Sequence, residues 1–106
     1  MLYNVLLAYS NYDSAIGYVQ GMNYIAGMLL MHINDEEQVF WCILYIMNRK
    51  NWRCIYMQEM SNLMELIATV ETKIRTDFPA LAEHLDDNDF TIGAAFSPLF
   101  ITLYIY

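Results

Sequence analysis

The sequence predicts an all-α fold of about five to six helices, and three observations carry that reading. Apolar residues recur at three- and four-residue spacing: Met60, Leu63, Met64, Ile67, Val70 and Ile74 form one stripe, with Glu65, Thr69, Glu71 and Thr72 off it. No segment of any length alternates apolar and polar side chains as a half-buried strand does. Turn formers and capping residues punctuate the chain at residues 11–14, 34–37 and 86–89, at spacings that suit helices. The chain holds no internal repeat and no low-complexity tract.

A first helix is expected over residues 2–12, with Val5, Leu6 and Tyr9 on one face, stopping at Asn11-Tyr12-Asp13-Ser14. Residues 15–18 form a short connector. A second helix is expected from near Gln20 to about Ile33; apolar residues surround it almost completely, which predicts a central, buried helix. Asn34 can cap a third helix, with Glu37 three residues later and acids at its positive end. That helix covers residues 38–48, and Arg49 and Lys50 suit its negative end. Residues 51–57 read as an irregular link, and the amphipathic stripe places a helix over 59–75. Pro79 fits the first turn of a short helix to about Leu85. Residues 90–106 form a last apolar segment, expected to kink or break at Ser97-Pro98.

At 106 residues the chain has room for one domain. It is 58% hydrophobic and 16% charged, where ordinary soluble domains run to roughly 45–50% and about 25%. A short chain buries a small fraction of its surface. Such a composition therefore predicts a share in a larger core, self-association, or contact with lipid, and a marginal fold when the chain is alone. The net charge of −7, with five scattered basic residues, offers no footprint for nucleic acid and disfavours anionic membrane surfaces. Cys42 and Cys54 lie outside any CxxC pair and read as reduced cytosolic thiols. His32 and His84 have no partners at ligand spacing, so no metal is expected. Met1 is followed by no basic region or cleavage site of a signal peptide. Trp41 and Trp52 are expected inside, as are Tyr18 and Tyr24 on the simplest reading, and Met22, Met28 and Met31 as gap-fillers.

"AIGYVQGMNYIAGMLLM", residues 15–31, is the stretch that resists a purely structural account. Residues 14–34 run without a formal charge and contain Gly17 and Gly21 in GxxxG spacing, which keeps a small membrane protein open as a reading. Gln20, Asn23 and three glycines make the run a poor inserter. Gln20 also fits a hydrogen-bonded core amide. A third reading is chemical: a carboxamide donates and accepts at once, so at the mouth of a helix it can orient an attacking water against a phosphoryl group. Gly21 then lets a second surface come close.

The stretch "IGYVQGMNYIAGMLL" resembles the second signature motif of the TBC domain, the family of Rab-type GTPase-activating proteins, whose pattern is Tyr-x-Gln-Gly-Met-Asn. Tyr18, Gln20, Gly21, Met22 and Asn23 occupy those positions. "LYNVLLAYSNYDSAIG", "DEEQVFWCILYIM", "FPALAEHLDD" and "FSPLFITLYIY" are similar to the family's flanking segments, so the resemblance covers nearly the whole chain. It implies that Gln20 replaces the GTPase's own glutamine in positioning the hydrolytic water, with Tyr18, Gly21, Met22 and Asn23 facing the GTPase. It also implies a second catalytic side chain, an arginine in an Ile-x-x-Asp-x-x-Arg motif upstream. The 17 residues before Tyr18 contain neither Arg nor Lys, and Arg49, Lys50, Arg53, Lys73 and Arg75 have no such motif around them. Residues 1–106 are therefore expected to be a partial TBC domain, without the arginine-finger region and part of the C-terminal region, and with little stimulation of hydrolysis by itself. The implied partner is a Rab-like GTPase that binds GTP and Mg²⁺ itself, so no cofactor is expected on this chain. The implied location is cytoplasmic, peripheral on endomembranes through the GTPase. The alternative is a module that docks a GTPase or another protein without catalysis.

Overall fold

A computed structural model describes residues 1–106, all but the side chain of Gln58. Among the described residues there are six α-helices and no strand. Helix α1, Leu2–Tyr12, has the expected limits and buries Val5 and Tyr9. It ends where the Asp13 N–H donates to the Tyr9 carbonyl at 2.9 Å. Helix α2, Met22–His32, begins two residues later than expected, because Gly21 has φ 111° and cannot join a helix. The expectation of burial all round also fails. Met22, Ile25 and Ala26 are buried, whereas Met31 is 78% exposed, because α2 packs mainly against α1 and the third helix and leaves its far side open.

Helix α3, Glu36–Leu44, is capped by Asp35 rather than Asn34. Asp35 has extended backbone angles and its carboxylate accepts the Gln38 N–H at 2.9 Å, a charged cap that also favours the positive helix end. The helix continues as a π-helical turn, Tyr45–Arg49. Two 3₁₀ turns follow: Trp52–Tyr56 lies within the expected irregular link, and Gln58–Met60 lies beyond it, where the next helix was expected to begin. Helix α4, Ser61–Asp77, starts two residues late because Glu59 and Met60 have positive φ. Its stripe buries Leu63 and Ile67 but leaves Met64 63% exposed.

Helix α5 is Pro79–Asp87, with proline in its first turn as expected. Helix α6, Ile92–Ile101, runs through Pro98 and is not interrupted there. Proline removes one helix hydrogen bond, and flanking hydroxyls bond the backbone around it: Ser97 Oγ donates to the Gly93 carbonyl at 2.6 Å and Thr102 Oγ1 to the Pro98 carbonyl at 2.8 Å.

Two hydrophobic cores result. The first lies between α1, α2 and α3, around Val5, Tyr9, Met22, Ile25, Val39 and Met47. The second gathers Ile55, Leu63, Ile67 and Phe100 from the first 3₁₀ turn, α4 and α6. Trp52 and Ile101 pack against both. Trp52 is thus half-buried, while Trp41, also expected inside, is 59% exposed. The molecule measures 47 × 27 × 22 Å with a radius of gyration of 16.2 Å; a compact chain of this length would have about 13 Å. No helix among the described residues is long and apolar enough to cross a membrane.

Candidate functional site: an exposed glutamine on a glycine turn

The loop between α1 and α2 is folded by its own backbone. The Asp13 carbonyl accepts the N–H groups of Ile16 at 3.1 Å and Gly17 at 2.8 Å, and Gly17 takes φ 67°. The chain then turns again over Val19-Gln20-Gly21-Met22, where the Met22 N–H donates to the Val19 carbonyl at 3.1 Å. Gly21, at φ 111° and ψ −30°, has the angles that the third residue of a type II turn needs and that glycine supplies without steric cost. Gln20 is therefore the second residue of that turn, at its apex, and its side chain is exposed.

Asn23 closes the turn. Its Oδ1 accepts the Gly21 N–H at 3.1 Å and the Tyr18 hydroxyl at 3.2 Å. One acceptor oxygen in the first turn of α2 thus fixes both the residue after Gln20 and the aromatic ring two residues before it, a reach-back related to the capping box. Met22 is only 3% exposed and belongs to the first core. Of the motif residues, Tyr18 and Gln20 face solvent, Asn23 is half-buried, and Gly21 and Met22 are inside. Tyr18 and Tyr24, for which a core position was the simplest expectation, are 53% and 39% exposed.

The turn rests on the end of α6. A Cβ on Gly21 would lie 2.1 Å from Ile101 Cγ2. Beside it opens a cleft of about 470 Å³ lined by Gln20, Tyr24, Met60, Pro98, Ile101 and Tyr106 among others. The Tyr24 and Tyr106 rings meet edge to face, with centroids 5.6 Å apart. The Tyr56 hydroxyl donates to the Ile101 carbonyl at the back of this contact.

The strongest electrostatic feature lies at the start of the loop. Arg53 Nε and Nη2 donate to the two Asp13 carboxylate oxygens at 2.6 and 2.9 Å, and the Tyr9 hydroxyl donates to one of them at 3.3 Å. The hydrogen bonds from Arg53 hold the Asp13 carboxyl below the usual range. Burial, and then the Asp13 charge, push the Tyr9 hydroxyl up to about 12. Nothing local in the sequence announces the pair, since 40 residues separate its members. Arg75 is likewise engaged, by Glu71 and Asp86, and Lys73 by Asp77 at 2.9 Å. The ring of His32 bonds the Met28 carbonyl at 2.8 Å. Among the described residues, no three His, Cys, Asp or Glu side chains gather as a metal site. Cys42 and Cys54 are free thiols.

The fold and the site together define an all-helical domain that offers a carboxamide at an exposed turn apex, next to an open apolar cleft. The chain belongs to the RabGAP-TBC family: the Rab-GTPase-TBC domain matches it over residues 1–106. It is 32% identical over 103 residues to mouse TBC1 domain family member 4, covering 97% of this chain and 8% of that protein. It is 33% identical over 106 residues to rat Growth hormone-regulated TBC protein 1, covering 98% of this chain and 36% of the relative. The Caenorhabditis elegans Rab GTPase-activating protein eat-17 is 31% identical over 104 residues, with 98% and 12% covered. The chain thus spans a minor part of the length of these relatives.

Proposed function

We propose that this chain carries the glutamine-bearing part of a GTPase-activating domain for a Rab-like GTPase, and that Gln20 orients the hydrolytic water in the partner's nucleotide site. The observation that carries the reading is the placement of Gln20: an exposed side chain at the apex of a turn whose next residue must be glycine. A carboxamide held by a rigid backbone turn loses little entropy when it engages a water, and can accept from it and donate to phosphate together. Tyr18 and Asn23 support the turn from beside it and behind it. GTP and Mg²⁺ belong to the GTPase, and recruitment by a membrane-bound GTPase would place the chain on endomembranes.

An arginine finger is worth on the order of 10³–10⁵ in rate, and no Ile-x-x-Asp-x-x-Arg segment occurs within these 106 residues. Arg53 and Arg75 are held in ion pairs. The engagement of both arginines favours a second reading, a module that docks a GTPase without catalysis. Single-turnover GTP hydrolysis by a panel of Rab-like GTPases separates the two. The chain joined in frame to an arginine-bearing segment of the family stimulates hydrolysis, the chain alone does so weakly or not at all, and Gln20→Ala abolishes the stimulation without abolishing binding. Stimulation that survives Gln20→Ala, or fails with every GTPase while binding persists, overturns the catalytic reading in favour of docking.

A further inference from the structure

The five-residue turn Trp52–Tyr56 grips the glutamine loop at both ends. On the incoming side, Arg53 holds both carboxylate oxygens of Asp13. The main-chain carbonyl of the same Asp13 accepts the Ile16 and Gly17 N–H groups with which the loop begins. On the outgoing side, the Tyr56 hydroxyl donates to the Ile101 carbonyl, and Ile101 is the surface on which Gly21 is seated with no room for a methyl group. Arg53 and Tyr56 are three residues apart on a 3₁₀ turn, where side chains at that spacing eclipse; a single local conformation aims both at the same loop. Each residue of a loop keeps two soft torsions, so the residues between Asp13 and Gly21 would wander unless both ends were tied.

We propose that Arg53 and Tyr56 are positioning residues for Gln20, acting through Asp13 and Ile101 and touching neither nucleotide nor water. The turn works as a two-point support: Arg53 fixes where the loop departs and Tyr56 fixes the wall against which it closes. The proposal rests on the reading of Gln20 as the water-orienting side chain, and its primary test does not need a GTPase.

Amide hydrogen exchange on the full chain is measured for Ile16, Gly17 and Met22, with Ile67 and Val70 of α4 as internal references. Arg53→Gln raises exchange at Ile16 and Gly17 by about tenfold, the scale of losing a charged hydrogen-bonded pair. Tyr56→Phe keeps the ring in its packing and raises exchange at Met22 by about fivefold. Arg53→Lys retains the charge but not the two-pronged geometry, and gives an intermediate effect. In all three the α4 amides, referenced to each variant's own global stability from urea unfolding, stay within about twofold of the rate that stability sets. Wild-type exchange in the loop of both variants overturns the proposal. Loop acceleration no larger than the loss of global stability accounts for also overturns it, since both residues would then hold the fold in general. A second readout uses the arginine-joined chain: Arg53→Gln and Tyr56→Phe lower the maximal stimulated rate while the half-saturating concentration changes little. If the loop loosens as stated but no form of the chain stimulates hydrolysis, the catalytic reading of Gln20 falls and the two-point support stands. If Gln20-dependent stimulation is intact in both variants, the support role falls and the catalytic reading stands.

Discussion

A methyl group on Gly21 would sit 2.1 Å from Ile101 Cγ2, on a backbone whose φ of +111° already disfavours an L side chain. Gly17 also has positive φ, at +67°, but faces open space. The two glycines therefore separate conformational strain from steric conflict. Gly17→Ala is expected to cost about 1 kcal/mol and Gly21→Ala about 3 kcal/mol, read as shifts of the urea midpoint. Gly21→Ala should also displace Gln20, because Ile101 or the turn must give way. The Asp13–Arg53 pair sets a second expectation at this scale. The Arg53 side chain is 31% exposed and that of Asp13 is 11% exposed, so Arg53→Ala should cost about 2 kcal/mol, less than removal of a partner from a fully buried pair. Because Arg53 lowers the folded-state Asp13 carboxyl, its contribution is complete above the unfolded value near 4 and fades as pH falls through the folded one. Tyr9 acts in the opposite sense. Raised to about 12, it contributes below an unfolded value near 10 and loses that contribution as pH rises between the two. Stability against pH should therefore fall on both sides, with the acid limb weakened by Asp13→Asn and the alkaline limb by Tyr9→Phe.

Among the elements, what was legible in the sequence was periodicity, and what was not was the backbone outside helical φ. The α1 limits follow from Val5 and Tyr9 and from the turn formers after Tyr12. The starts of α2 and α4 each fall two residues later than periodicity predicts, since Gly21, Glu59 and Met60 carry positive-φ geometry that hydropathy does not report. The passage of α6 through Pro98 is accompanied by hydroxyl bonds to the Gly93 and Pro98 carbonyls, again invisible to a pattern of apolar residues. As for the site, Gln20 stood out because a polar amide interrupts an apolar run, whereas its supports, Arg53 and Tyr56, lie on a segment that reads only as an irregular link. Two substitutions check the element-scale packing. Asp35→Ala should cost about 1 kcal/mol through loss of the α3 cap. Leu63→Ala should cost about 2–4 kcal/mol, and Met64→Ala next to it under about 0.5 kcal/mol, because Leu63 is buried and Met64 is not; thermal or urea unfolding of the pair decides this.

Over the whole molecule, large apolar side chains remain uncovered along the 47 Å length: Tyr3, Met31, Trp41 and Met64 are each more than half exposed. Single exposed hydrophobes are ordinary, but this many on so small a chain leaves much of its non-polar surface in water. The isolated chain is expected to associate with itself and to melt without a sharp two-state transition. Sedimentation velocity across a tenfold concentration range tests the first point, and coincidence of far- and near-ultraviolet circular dichroism melts the second. A monomer with coincident, sharp transitions would show that the two cores suffice.

The unequal placement of the two tryptophans has an optical consequence. Trp41 is 59% exposed on α3, whereas Trp52 sits half-buried where both cores meet. The chain thus contains two native fluorophores in different surroundings: one whose red-shifted emission a soluble quencher reaches freely, and one whose blue-shifted emission is shielded. Quenching resolved by wavelength would then follow the seam between the two cores through Trp52 alone, without any label, as the proposed GTPase partner is added.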